Sequence, residues 1–192
     1  MQEFVLTFLS VFAFVFIAEL ADKTQLFVFF LGSRYKKRDI FFGVMVSSAI
    51  LMAIVVFPVK YIKEYLPIFY IKIASASLFV IFGIMGLFER SDESHIKVKT
   101  FRLPGVLMVF LSFFIAELGD RTQLAGISLA MKYKLPFAVW LGAWLGLFLA
   151  NVPVIFGGHY IMKKIKPSLL KNIGALVFIL FGIYIFIETF LF

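Results

Sequence analysis

The sequence predicts an all-α integral membrane protein with six transmembrane helices arranged as two inverted-topology three-helix repeats. Three observations lead there. Of 192 residues, 62% are hydrophobic and only 16% charged, with 27 Phe; soluble domains are about 45–50% apolar and about 25% charged. The apolar residues fall in runs of roughly 20, the length that crosses a bilayer. A charged nonapeptide also recurs halfway along the chain. A chain this small has no core able to take up so much apolar surface, so a soluble globular enzyme is excluded. Disordered and low-complexity classes fail on the same composition.

The runs are Phe4–Leu31, Ile40–Val59, Ile68–Phe88, Leu103–Met131, Phe137–Tyr160 and Ile173–Phe192. No linker between them is long enough to fold alone. Residues 1–192 are therefore read as a single transmembrane domain, with repeat one at 1–89, a linker at 90–102 and repeat two at 103–192. The start, Met1-Gln2-Glu3, lacks the basic n-region of a secretory signal, so the first span is expected to be retained.

Orientation follows from Lys and Arg. The first, third and fifth linkers carry twelve: Arg34, Lys36, Lys37, Arg38, Arg90, Lys97, Lys99, Arg102, Lys163, Lys164, Lys166 and Lys171. The opposite side carries five: Lys60, Lys63, Lys72, Lys132 and Lys134. This places the odd linkers in the cytoplasm and both termini outside. The net charge of +8 thus sits where a membrane surface attracts it, and no nucleic-acid partner is expected.

Ala18-Glu19-Leu20-Ala21-Asp22-Lys23-Thr24-Gln25-Leu26 in the first span is nearly copied by Ala116-Glu117-Leu118-Gly119-Asp120-Arg121-Thr122-Gln123-Leu124 in the fourth, 98 residues later. Downstream, Phe82-Gly83-Ile84 and Glu89 match Phe181-Gly182-Ile183 and Glu188 at a separation of 99. The chain is a duplicated three-helix unit. Because three is odd, the second unit enters the membrane from the opposite side, an arrangement many secondary transporters use to build two gates around one site.

The motifs lie near the middle of their spans. An Asp or Lys at that depth costs ~2.5–3.5 kcal/mol even on a lenient insertion scale. Four carboxylates (Glu19, Asp22, Glu117, Asp120) and two cations (Lys23, Arg121) must therefore face one another, water or an ion. Glu19, Asp22 and Lys23 stand at i, i+3 and i+4, hence on one helical face, and Glu117, Asp120 and Arg121 repeat that arrangement. Thr24, Gln25, Thr122 and Gln123 add uncharged oxygens. With Lys23 and Arg121 balancing two carboxylates, two negative charges remain, equal and opposite to one divalent cation.

Oxygen donors of this kind suit Ca²⁺, Mn²⁺ or Mg²⁺, whereas Zn²⁺ and copper favour thiolate or imidazole. The chain has no Cys, His95 lies in the middle linker, and His159 ends the fifth span, where an interfacial role is expected. An alternative reading makes the motifs an ion-paired clamp between helices, but Asp22 and Asp120 would then lack counterions. An intramembrane aspartyl protease is a second alternative, disfavoured by the cation that follows each Asp. A passive divalent-cation channel is a third.

E-L-A-D-K-T and E-L-G-D-R-T resemble the paired E-x-G-D-[KR]-[ST] signatures of the GDT family of small six-helix membrane cation/proton exchangers, relatives of the lysine-exporter superfamily. The resemblance covers essentially the whole chain. It implies a secondary transporter, not an enzyme, that exports Mn²⁺, or Ca²⁺, in exchange for protons and uses no organic cofactor. It implies that Glu19, Asp22, Glu117 and Asp120 bind the cation, with Thr24, Gln25, Thr122 and Gln123 as auxiliaries. Protons and metal would compete for these carboxylates, which couples their opposite movements. Ala21 departs from the pattern, standing where the family has Gly. The long N-terminal segment of eukaryotic members is not expected here, and the localisation expected is a prokaryotic plasma membrane.

Other features carry softer expectations. Gly142 and Gly146 form a G-x-x-x-G that, with Gly83 and Gly182, suits close helix packing. Asn151, two residues before Pro153 in the fifth span, offers a further oxygen to the cavity, and its counterpart in the first repeat is Met52. The partners expected are the lipid bilayer and the divalent ion, and a homo-oligomer is left open.

Overall fold

The computed structural model describes residues 1–20, 23–32, 34–62, 68–88, 104–164 and 167–191, and all its regular structure is helical. Among the described residues, eight helices follow in order: α1 (Gln2–Glu19), α2 (Lys23–Leu31), α3 (Lys37–Ile62), α4 (Ile68–Phe88), α5 (Gly105–Glu117), α6 (Arg121–Lys132), α7 (Pro136–Lys164) and α8 (Pro167–Leu191). Pro136 and Pro167 open their helices, where a missing N–H costs nothing and a fixed φ helps. Among the described residues, three helical stretches are long and apolar enough to cross a membrane: Gln2–Glu19, Lys37–Val59 and Pro136–Gly157. Gly105–Glu117 and Ala175–Phe190 are shorter apolar stretches.

The first and fourth apolar runs, expected as continuous helices, are each divided in two. α1 stops at Glu19 and α2 starts at Lys23; α5 stops at Glu117 and α6 starts at Arg121. The breaks fall on the charged motifs. Polar groups deep in an apolar span gain more from free helix-terminal N–H and C=O groups than from an unbroken ladder, provided the irregular backbone is enclosed by protein.

Packing repeats along with sequence. On α7, Gly142 is so close to α1 that an added Cβ would meet the Phe8 carbonyl oxygen at 2.8 Å and the Phe12 nitrogen at 3.1 Å. Its sequence counterpart Gly43, on α3, meets Val109 and the Phe110 nitrogen of α5 in the same way. Where α4 crosses α8 the contact is reciprocal: Gly83 abuts the Ala175 carbonyl oxygen (2.8 Å from an added Cβ) and Gly182 abuts that of Ala76 (2.9 Å). Each contact recurs with both partners shifted by 98 or 99 residues, the mark of an approximate twofold relation between the halves.

Contacts at the helix ends show which termini meet. Gly105, starting α5, lies against Asp39 in the first turn of α3, and Lys37 Nζ donates to the Phe156 carbonyl near the far part of α7 (3.1 Å). At the other end, Phe4 of α1 stacks on Phe137 of α7 (6.4 Å), Phe69 of α4 meets Phe190 of α8 (6.0 Å), and Lys132 closing α6 pairs with Glu188 (2.8 Å).

In the core, Phe14 packs against Phe79, Phe178 and Phe181, its ring 4.3 Å from that of Phe181. The indole N–H groups of Trp140 and Trp144 donate to the Ala49 and Met45 carbonyls, fastening α7 to α3 (both 3.0 Å). Large apolar side chains such as Leu6, Ile54, Phe156 and Leu180 remain exposed, as lipid-facing residues are.

Candidate metal centre

Each motif is built around a helix break. In the second, Leu118 leaves α5 in an extended conformation, Gly119 takes φ +81°, and Asp120 caps α6 by accepting from the Thr122 N–H (3.1 Å). Among the described residues, Gly119 alone has positive φ. That conformation is costly for a residue with a Cβ, which explains a Gly at this point of the motif. The Gly119 N–H donates to Gln123 Oε1 (3.1 Å), so the loop is closed by its own motif.

Glu19 ends α1 and Glu117 ends α5, and both are fully buried (0% exposed). Helix C-termini carry partial negative charge, so these positions favour a cation over lone carboxylates. One carboxylate oxygen from each of Glu19, Glu117 and Asp120 lies within 4.8 Å of the others. Oxygens around a single Ca²⁺-sized ion, at ~2.3–2.6 Å from it, are separated by at most about 5 Å. Thr122 donates its hydroxyl to Glu19 Oε2 (3.0 Å), bringing a fourth oxygen into the group. Sequence spacing put the acidic residues of each motif on one helical face. Among the described residues, the structure instead gathers Glu19, Glu117 and Asp120 at helix ends, with Glu19 of one repeat meeting Glu117 and Asp120 of the other.

The other sequence-predicted residues divide. Thr24, Gln25 and Gln123 are buried. Gln25 Nε2 donates across to the Ala150 carbonyl of α7 (3.1 Å), so its amide holds α2 against the second repeat. Asn151 is fully buried and donates to the Leu147 carbonyl one turn back (2.9 Å). Its Oδ1 and the Gln123 Nε2 make no hydrogen bond among the described residues. Ala21 and Asp22, the side chains of Lys23, Arg121 and His159, and the residues His95 and Glu89 lie outside the described residues.

Sequence reasoning missed the helix breaks and the Gln25 link to α7. The signal for the second break was present: Gly119 within a charged motif at mid-span is poor material for a membrane helix and good material for two helix ends. No sequence signal pointed to the Gln25–Ala150 bond, which joins residues 125 apart.

Two close carboxylates buried from water repel unless a proton or a cation sits between them. The arrangement can therefore hold one hard divalent ion, or protons in its place.

Comparison with known proteins agrees with this chemistry. The sequence model of the family described as "Divalent cation/proton antiporter GDT1" matches residues 7–94 and 105–191, one segment for each repeat. A GDT1-like protein of Synechocystis is 31% identical over 187 residues, spanning 87% of this chain and 90% of the relative. A protein of Vibrio cholerae named "Putative manganese exporter" is 31% identical over 172 residues, 88% of this chain and 84% of the relative. The chloroplastic PAM71 homologue of Arabidopsis thaliana is 24% identical over 218 residues, 95% of this chain and 60% of that protein. No solved structure matches the chain.

Proposed function

The chain belongs to the GDT1 family of divalent cation/proton antiporters, multi-pass membrane proteins that are transporters rather than enzymes, and from that premise we propose that it exports Mn²⁺ in exchange for protons. The cation and the proton are its transported substrates. Mn²⁺ is the favoured cargo because the oxygen donors suit it and because the Vibrio relative is named for manganese export. Ca²⁺ is the second cargo these donors would accept.

In this reading Glu19, Glu117 and Asp120 are metal ligands, and Asp22, the sequence counterpart of Asp120, completes the set. Thr122, Thr24, Gln25, Gln123 and Asn151 supply auxiliary oxygens or position the ligands. Lys23 and Arg121 balance the remaining charge. The observation that carries the proposal is the convergence of carboxylates from both repeats within 4.8 Å. A site built at the seam between repeats can be uncovered from either side as one repeat rocks against the other.

Six spans in two inverted repeats account for the end contacts: the starts of α3 and α5 lie at one end, the starts of α4 and α7 at the other. With the odd linkers cytoplasmic, both termini face outward, and the site lies between the two aqueous phases. An empty, protonated site returns while a metal-loaded one leaves, so the two substrates move in opposite directions by competing for the same oxygens.

The test is Mn²⁺ accumulation by inverted vesicles or proteoliposomes containing the protein, with and without an imposed pH difference. An exchanger accumulates Mn²⁺ against its gradient only when the pH difference is present. Uptake that follows the Mn²⁺ gradient alone, unaffected by pH difference, would defeat the proposal.

A further inference from the structure

We infer that Lys132 and Glu188 form a latch that seals the non-cytoplasmic mouth of the transport pathway, acting as positioning residues for exchange. The inference rests on the antiporter reading for its consequence but on separate observations for its geometry. Lys132 is the last residue of α6, whose first turn carries Thr122 and Gln123 and whose cap is Asp120. The latch and the candidate ligands thus share one rigid element about 18 Å long. At its far end Lys132 Nζ donates to Glu188 Oε2 of α8 at 2.8 Å and lies 4.2 Å from the Tyr184 ring centroid. The rings of Phe181 and Tyr133 lie 5.9 Å from the same ammonium. An ion pair lined by aromatic rings excludes water better than one in open solvent, and it is correspondingly more directional.

The same charges are written into the first repeat. Arg34-Tyr35-Lys36 follows its motif at the spacing of Lys132-Tyr133-Lys134, and Glu89 stands where Glu188 stands. Glu89 lies outside the described residues; Arg34 is exposed, its guanidinium 5.1 Å from the Phe30 ring centroid. The two basic residues lie at opposite ends of the bundle.

Burial by itself lowers the basicity of Lys132, but hydrogen bonding to Glu188 and its charge, with Tyr184, raise its pKa above the ordinary 10.5. The cation therefore persists at physiological pH. The latch opens mechanically, as α6 moves, and is not the proton-sensing part.

The absence of cysteine from the chain allows a direct test. Ser128, buried on α6 one turn before Lys132, is replaced by Cys, and its labelling by a membrane-impermeant maleimide added from the non-cytoplasmic side is timed. Lys132→Ala and Glu188→Gln should each raise the labelling rate roughly fivefold, the population shift a partly buried ion pair sustains. Lys132→Arg and the exchange Lys132→Glu with Glu188→Lys should return it towards the starting rate. Unchanged labelling in both single variants, or no recovery in the charge exchange, would overturn the latch. If labelling responds while the unaltered protein moves no Mn²⁺, the latch stands and the cargo assignment falls. If Mn²⁺ exchange is intact and labelling is indifferent to these changes, the reverse holds.

Discussion

Thr122 donates its hydroxyl to Glu19 across 3.0 Å, joining residues 103 positions apart and crossing from the second sequence repeat to the first. The bond orients a fully buried carboxylate and holds the start of α6 against the end of α1. Thr122→Val keeps the shape but removes the donor, leaving a buried oxygen without it at a cost of ~1–3 kcal/mol. We expect the apparent Mn²⁺ affinity in vesicle uptake to fall by roughly five- to 150-fold, with Thr122→Ser near the original value.

Removing charge at the site should act more severely. Glu19→Gln, Glu117→Gln and Asp120→Asn each take one of the three converging oxygens from anionic to neutral. Transport at matched expression should drop at least ~10-fold in each, while the protein stays inserted and monodisperse in detergent. Full exchange activity in all three would remove these residues from the pathway.

Metal binding should also register as stability. A ligand held only by the folded state adds ~2.7 kcal/mol when present at 100 times its Kd. Mn²⁺ should therefore raise the unfolding temperature of the purified protein by several degrees, and the rise should vanish in Glu19→Gln with Glu117→Gln. A uniform response to Mn²⁺ in the original and the double variant would place binding elsewhere.

Gly119 offers a test of backbone alone. Its φ is +81°, yet nothing lies within 4 Å of where a Cβ would be. Gly119→Ala should destabilise by ~1–2 kcal/mol through left-handed strain, with Gly119→Asn milder. By contrast, Gly142→Leu meets the α1 backbone and should lose folded protein altogether, as size-exclusion yield would show.

The Lys132–Glu188 pair has a defined pH window. Because the folded-state pKa of Lys132 is raised, its contribution is fully present below the ordinary value of 10.5 and is lost only as pH rises through the raised value. The stability difference between the original protein and Lys132→Ala should thus be flat from about pH 6 to 9 and shrink only at higher pH. A difference that changes steeply near neutrality would assign the titration to another group.

How far each feature could be read from sequence depended on the range of the interaction behind it. Apolar runs of bilayer length and the pairing of Glu19 with Glu117 as copies are local or repeated signals, and they were legible without coordinates. So was the demand that mid-span charges find partners, since lipid offers none. At the second motif the spacing argument failed because it assumes a continuous helix. The chain breaks there, and helical periodicity says nothing about residues on either side of a break.

By itself, then, the sequence determined that this chain is a membrane protein carrying a charged motif twice, because composition and repetition are read directly from the residues. Only the tertiary structure decided that Glu19 meets Glu117 and Asp120 across the seam, that Gln25 reaches Ala150, and that Lys132 closes on Glu188. Those partners lie 56 to 125 residues apart. They are chosen by how two copies of one unit pack against each other, which no single stretch of sequence encodes.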